Sequence, residues 1–166
     1  MVEKTVEHAS EQEAPDRKSG GDVVTVVLTA DNHLGYVAFG QQQRKREERQ
    51  QQLRHAFQQA TDFAIARGVD LFIQAGDLFD TTTPDERDRS FVATRLSQLK
   101  NANIRTFALG GVHDTPYDAQ SFSGDEIPAP QISYAQLGAL HYFSPATQHN
   151  DAQELEAVNL NIHGLA

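Results

Sequence analysis

The chain contains no cysteine. That absence excludes disulfides, thiolate zinc sites and cysteine nucleophiles. Any bound metal must therefore sit on imidazole nitrogens and carboxylate or amide oxygens, a comparatively hard ligand set. Long apolar runs are also missing. The longest apolar-rich stretch, Val23 to Ala30, is far too short to span a bilayer. The N-terminus is polar and offers no apolar core for a secretory signal, so the expectation is a cytoplasmic protein without a membrane segment. Positive charge is scarce as well. Lys and Arg number 14 against 23 Asp and Glu, a net charge of −9, which argues against a module that simply coats nucleic acid. What remains is 166 residues, 39% of them hydrophobic: enough for one domain with a core.

Residues 1–21 read as a disordered acidic tail ending in Ser19-Gly20-Gly21, with almost nothing to bury. Residues 22–166 read as the domain. Val23, Val24, Val26, Val27 and Leu28 form a β-branched run of the kind found in strands buried on both faces. A long helix is expected over 42–67. Leu53, Phe57, Ala60 and Ala64 share one of its faces, and Gly68 is its C-cap. The first half of that helix has no apolar face, so it is expected to project from the body.

A second buried strand is expected from Val69 to Ala75. A second helix follows, with Thr83 and Glu86 as a capping box, Pro84 at its first position, and Val92, Leu96 and Leu99 facing the core. Ile104 to Leu109 reads as the third strand. The order β-α-β-α-β implies a parallel α/β sheet. A long loop over 115–132, a short helix near 133–140 and strands near 140–143 and 157–163 complete the expectation.

Each of the first three strands runs into possible metal ligands. Asp31 and His33 follow the first, Asp77 and Asp80 the second, and His113 and Asp114 the third. In a parallel sheet the carboxyl ends of neighbouring strands meet at one crevice. Groups 44 and 36 residues apart along the chain would thereby converge. So many carboxylates and imidazoles together would repel and desolvate one another without a cation. One divalent ion, or a pair about 3.5–4 Å apart of the kind that hydrolyses phosphate esters, removes that conflict.

These residues carry a resemblance. Asp31-x-His33, Gly76-Asp77-x-x-Asp80 and Gly111-x-His113-Asp114, each after a strand, resemble the first three motifs of the calcineurin-like metallophosphoesterases. Asp31-Asn32-His33-Leu34-Gly35, Ala75-Gly76-Asp77-Leu78-Phe79-Asp80 and Asn161-Ile162-His163-Gly164-Leu165 are similar to DNA-repair nucleases of the SbcD type, the nuclease partners of SMC-like ATPases.

The resemblance implies the N-terminal part of a metallophosphoesterase sandwich and a two-metal site hydrolysing DNA phosphodiester bonds. Mn²⁺ is the expected metal, with Mg²⁺, Fe²⁺ and Zn²⁺ compatible. It further implies that Asp31 and His33 bind the first ion and that Asp77 bridges both. His113 would act at the leaving group, and Asp80 would orient and charge-stabilise His113. The implied partners are DNA, as ends, duplex or single strands, and an SMC-like ATPase subunit, with a homodimer compatible.

Two departures stand out. Val112 occupies the position where the family's third motif has Asn, so the second ion loses an amide ligand. The family's later histidine motifs lie beyond the matching region, and His141, His149 and His163 lack the sequence context to replace them. The expectation is therefore an N-terminal fragment or truncated product, of marginal stability or associating with a partner. The alternatives are a phosphoesterase for a small ester and a non-catalytic remnant. Arg44, Lys45, Arg46, Arg49 and Arg54 give residues 44–54 a net charge of +3. They read either as DNA-backbone contacts or as a solvated helix face. Tyr36 and Phe39 either stack on a nucleotide or pack internally.

Overall fold

A computed structural model describes residues 23–36, 42–116 and 128–143. The expected tail at 1–21, the strand at 157–163, Phe39, His149 and His163 lie outside the described residues. Among the described residues four strands form one parallel sheet: β1 (Val26–Thr29), β2 (Leu71–Ala75), β3 (Arg105–Leu109) and β4 (His141–Phe143), in the order β1-β2-β3-β4. The connections carry helices α1 (Gln43–Arg67), α2 (Glu86–Asn101) and α3 (Pro130–Gln136). Because the strand order only advances, the helices fall on one face of the sheet, as right-handed crossovers require.

That face holds the main core. Phe57 and Ala64 of α1, Val92, Leu96 and Leu99 of α2 and Tyr134 of α3 pack with Phe72 and Ala108 of the sheet. The other face carries Leu71, Phe107 and Phe143, with Phe107 and Phe143 stacked at 5.8 Å between ring centroids. Residues of β2 thus alternate between the two clusters, as the pleat demands. Thr25 and Asp70 fix the register at the strand origins. Thr25 donates both its N–H and its hydroxyl to Asp70 Oδ2, at 2.8 and 2.7 Å, and Asp70 N–H donates back to Thr25 Oγ1. Val26 consequently pairs with Leu71 and Leu71 with Arg105.

The α/β class, the β-α-β-α-β order and both long helices are as expected. Gly68 closes α1 at φ +57°, a conformation glycine adopts without the Cβ penalty. Several details differ from the expectation. The valine-rich β1 is an edge strand: Val26 is 43% and Leu28 65% exposed, because β2 is its sole strand neighbour among the described residues. The cap of α2 is Asp85, whose carboxylate accepts the Asp88 N–H at 2.8 Å. Thr83 instead gives its N–H to Thr81 Oγ1, so Pro84 precedes the cap. Helix α3 begins three residues earlier than expected, since Pro130 suits a first turn, and Gly138 at φ +63° follows its end. Residues 130–132 of the expected loop therefore belong to α3, and residues 117–127 lie outside the described residues. Finally, the polar first half of α1 does not project freely. Gln50 Nε2 donates to the Tyr36 carbonyl at 3.3 Å, tying the helix to the loop after β1.

Candidate metal centre

Beyond the ends of β1 and β2 the two chains continue side by side. Asp31 N–H donates to the Gly76 carbonyl, His33 N–H to that of Asp77 at 3.0 Å, and Asp80 N–H to that of Leu34. This extension brings the first two motifs together. The backbone there is not relaxed: Asp31, His33 and Asp77 take φ values of +50°, +45° and +52°. Non-glycine residues seldom adopt that region, and strain of this kind gathers at functional sites.

The third motif joins through Asp77. Its Oδ1 accepts the His113 N–H at 2.9 Å. Gly111 lies so close that a Cβ there would overlap Asp77 Oδ1 and the Asp77 backbone nitrogen. Asp114 holds this turn from below. It is fully buried, accepting from Gly111 N–H at 2.8 Å, from Phe79 N–H at 3.2 Å, and from Gln131 Nε2. Burial raises its pKa above the ordinary aspartate value, and the hydrogen bonds from Gly111 and Phe79 oppose that rise.

His33, Asp77 and His113 each offer one ligand atom, and these atoms lie within 4.8 Å of one another. Donors held about 2.0–2.2 Å from a common ion stand at most about 4.4 Å apart, so a slight inward movement of these side chains would let them share one. The nitrogen and oxygen donor set suits a divalent cation. The residues present therefore fit a metal. Asp80, 14% exposed, stands behind both imidazoles: its Oδ1 lies 3.1 Å from His33 Nδ1 and 3.7 Å from His113 Nδ1. The two rings meet edge to face at 4.8 Å. At 3.1 Å the carboxylate fixes the His33 tautomer and leaves its Nε2 free for a ligand, while at 3.7 Å it faces His113 Nδ1 as a charge without a hydrogen bond.

Asp31 stands at the rim. Its side chain is 75% exposed, and its Oδ1 lies 3.9 Å from His33 Nε2. Val112 is 82% exposed and carries no donor atom.

A cavity of about 820 Å³ opens over the centre, lined by Asp31, His33, Asp80 and His113 on one side and by Lys45 and Arg49 of α1 on the other. The basic run of α1 is thereby divided. Arg54 is bound to the buried Asp88 at 2.7 Å, and Arg44 pairs with Glu48. Lys45 and Arg49 face the cavity, and so does Tyr36.

Sequence reasoning left Asp114 aside and missed Gln131 and Asp88. The Gly111-to-Asp114 spacing of a side-chain-closed turn was a signal for the first. Asp88, four residues before Val92 on the core face of α2, was visible in the periodicity as a buried charge. Nothing in the sequence marked Gln131.

The profile of the calcineurin-like phosphoesterase family matches residues 24–159. The chain is also similar to proteins named DNA double-strand break repair protein Mre11. That of Saccharolobus solfataricus is 34% identical over 94 residues, covering 57% of this chain and 23% of the relative. That of Methanosarcina mazei is 36% identical over 97 residues, covering 58% and 15%. That of Halobacterium salinarum is 37% identical over 95 residues, covering 57% and 23%. The matches thus span about a quarter or less of each relative's length. Among the described residues no helix is long and apolar enough to cross a membrane.

Proposed function

The chain belongs to the calcineurin-like phosphoesterase family, and from that premise we propose that it hydrolyses phosphodiester bonds of DNA at the His33–Asp77–His113 centre. The observation that carries this reading is the meeting of three strand-end motifs around one small space, with Asp80 behind both imidazoles. The naming of its relatives as DNA break repair proteins supports the substrate. An SMC-like ATPase is the proposed partner.

His33 and Asp77 of the centre, joined by Asp31 from its rim, are the proposed ligands of a two-ion site, with Asp77 shared and Mn²⁺ as the metal, while His113, the third member of the centre, is assigned to the leaving group. Divalent ions held there would acidify a water and polarise phosphoryl oxygens. His33 gives its Nδ1 proton to Asp80, so Nε2 presents its lone pair on the side of Asp31. His113, about half exposed, also turns Nδ1 toward Asp80. Its Nε2 can then hold a proton for the departing oxygen. Asp80 keeps both rings oriented and offsets charge that develops on them.

Calorimetric titration of the full chain with Mn²⁺, beside an Asp77→Ala control, tests the centre. Two ions bound by the chain and lost in the control support the proposal. Competition between linear duplex DNA and a small diester tests the substrate, and preference for the small diester would move it to small esters. Exposed, donorless Val112 favours a second reading, a non-catalytic domain holding one ion or none. One weak ion without diester hydrolysis would establish that reading.

A further inference from the structure

We propose that Lys45 and Arg49 form a subsite for the phosphate next to the scissile one, making the site selective for a polynucleotide chain over a lone phosphate ester. This rests on the hydrolytic reading of the centre.

Lys45 and Arg49 sit one turn apart on α1, with Gln52 and Leu53 continuing the same face, and all four line the cavity over the metal centre. No carboxylate pairs with either cation among the described residues, whereas Arg44 and Arg54 each have one. Glu48 lines the same cavity between them, with its carboxylate accepting from Arg44 Nε at 2.9 Å, so the wall keeps two cations against one carboxylate that is already engaged. Packing does not account for them, since both are exposed and this half of α1 has no apolar face.

The cavity is also larger than a lone phosphate requires. Liquid water occupies about 30 Å³ per molecule, so a phosphate, a few waters in volume, fills a small part of 820 Å³. A second phosphate of the same strand would extend from the centre toward α1. The chain's net charge of −9 sharpens the point. Its overall field repels polyanions, so attraction must come from local cations that are not already paired. Tyr36 lines the same cavity, anchored through its carbonyl by Gln50, and offers an aromatic surface to a base of such a strand.

The test is fluorescence anisotropy of a labelled, hydrolysis-resistant phosphorothioate oligothymidylate with the full chain in Mn²⁺. The variants are Lys45→Ala, Arg49→Ala and, as a control of equal charge change, Arg67→Ala at the far end of α1, where Arg67 lies 5.3 Å over the Phe63 ring. Lys45→Ala and Arg49→Ala are each expected to weaken binding about fivefold. Each should also reduce the slope of log affinity against log salt by about 0.7, as for one lost contact to a single strand. Arg67→Ala is expected to bind like the parent.

In hydrolysis, the preference for oligothymidylate over bis(p-nitrophenyl) phosphate, as a ratio of kcat/KM, should fall by a similar factor in the first two variants. Equal losses in all three variants, parental binding by Lys45→Ala and Arg49→Ala, or no binding by the parent would overturn the subsite. A parent that hydrolyses neither substrate, while Lys45→Ala and Arg49→Ala still lose binding, would overturn the hydrolytic reading and leave the phosphate contact standing.

Discussion

Gly111 stands against the Asp77 carboxylate with no room for a side chain between them. A methyl group there must displace Asp77, and with it the acceptor of the His113 N–H. Gly111→Ala is therefore expected to lower Mn²⁺ affinity at least tenfold and to cost about 1–3 kcal/mol of stability through overpacking. Calorimetry and urea denaturation read the two effects. A parental Mn²⁺ isotherm would show that this contact does not position the ligand.

Asp80 holds His33 Nδ1 at 3.1 Å and faces His113 Nδ1 at 3.7 Å. Removing a carboxylate that orients metal-binding histidines commonly lowers affinity 10- to 100-fold. Asp80→Ala should fall in that range while the far-ultraviolet circular dichroism stays unchanged. An affinity within twofold of the parent would assign Asp80 to the turn alone.

Val112 faces solvent, so Val112→Asn should change stability by no more than about 0.5 kcal/mol. The new amide oxygen is expected to tighten binding of the second ion and leave the first unaltered. If the second ion binds no better, residue 112 does not occupy the ligand position proposed for it.

The Arg54–Asp88 pair locks α1 to α2 beneath the loop at Gly35, with Asp88 fully buried. Arg54→Ala leaves that carboxylate uncompensated, an effect of about 3–5 kcal/mol. Arg54→Met combined with Asp88→Leu should recover most of the loss. Urea midpoints for the single and double variants decide it, and a double variant no better than the single would contradict the buried-charge account.

Burial pushes the Tyr134 phenol up to about 12, while its hydroxyl donates to the Arg89 carbonyl at 3.0 Å. A pKa higher in the folded state stabilises the fold fully below pH 10, and that contribution is lost as the pH rises through 12. The change is of the order of 3 kcal/mol. Tyrosinate absorbance should show a late-titrating phase, shared with the buried Tyr142 phenol, that Tyr134→Phe reduces, together with a shallower alkaline loss of stability. An unchanged absorbance profile in the variant would refute the assignment.

The centre was legible in the sequence because its parts are local. Asp31, His33, Asp77, Asp80 and His113 each follow a strand whose apolar run is plain, and a parallel sheet alone brings those ends together. The face carrying Phe57 and Ala64 in α1 and the one carrying Val92 and Leu99 in α2 were legible for the same reason. What escaped depended on partners far along the chain. A valine-rich run reads alike in a central strand and an edge strand, so β1's exposure followed only from the sheet order. Thr83 and Asp85 are both good caps two residues apart, and the Thr81 hydroxyl decided between them. Arg54 looked like part of a basic face until Asp88, 34 residues away, was found to hold it.

The positive φ angles at Asp31, His33 and Asp77 set thermal robustness against chemistry in this domain. Glycine or asparagine at those three positions would relieve backbone strain of order 1–3 kcal/mol each. A screen that rewards only heat resistance would therefore favour clones lacking the proposed metal ligands. Any programme to harden this domain should hold those three residues fixed and look for its gains elsewhere, at the exposed valine and leucine of β1 for example.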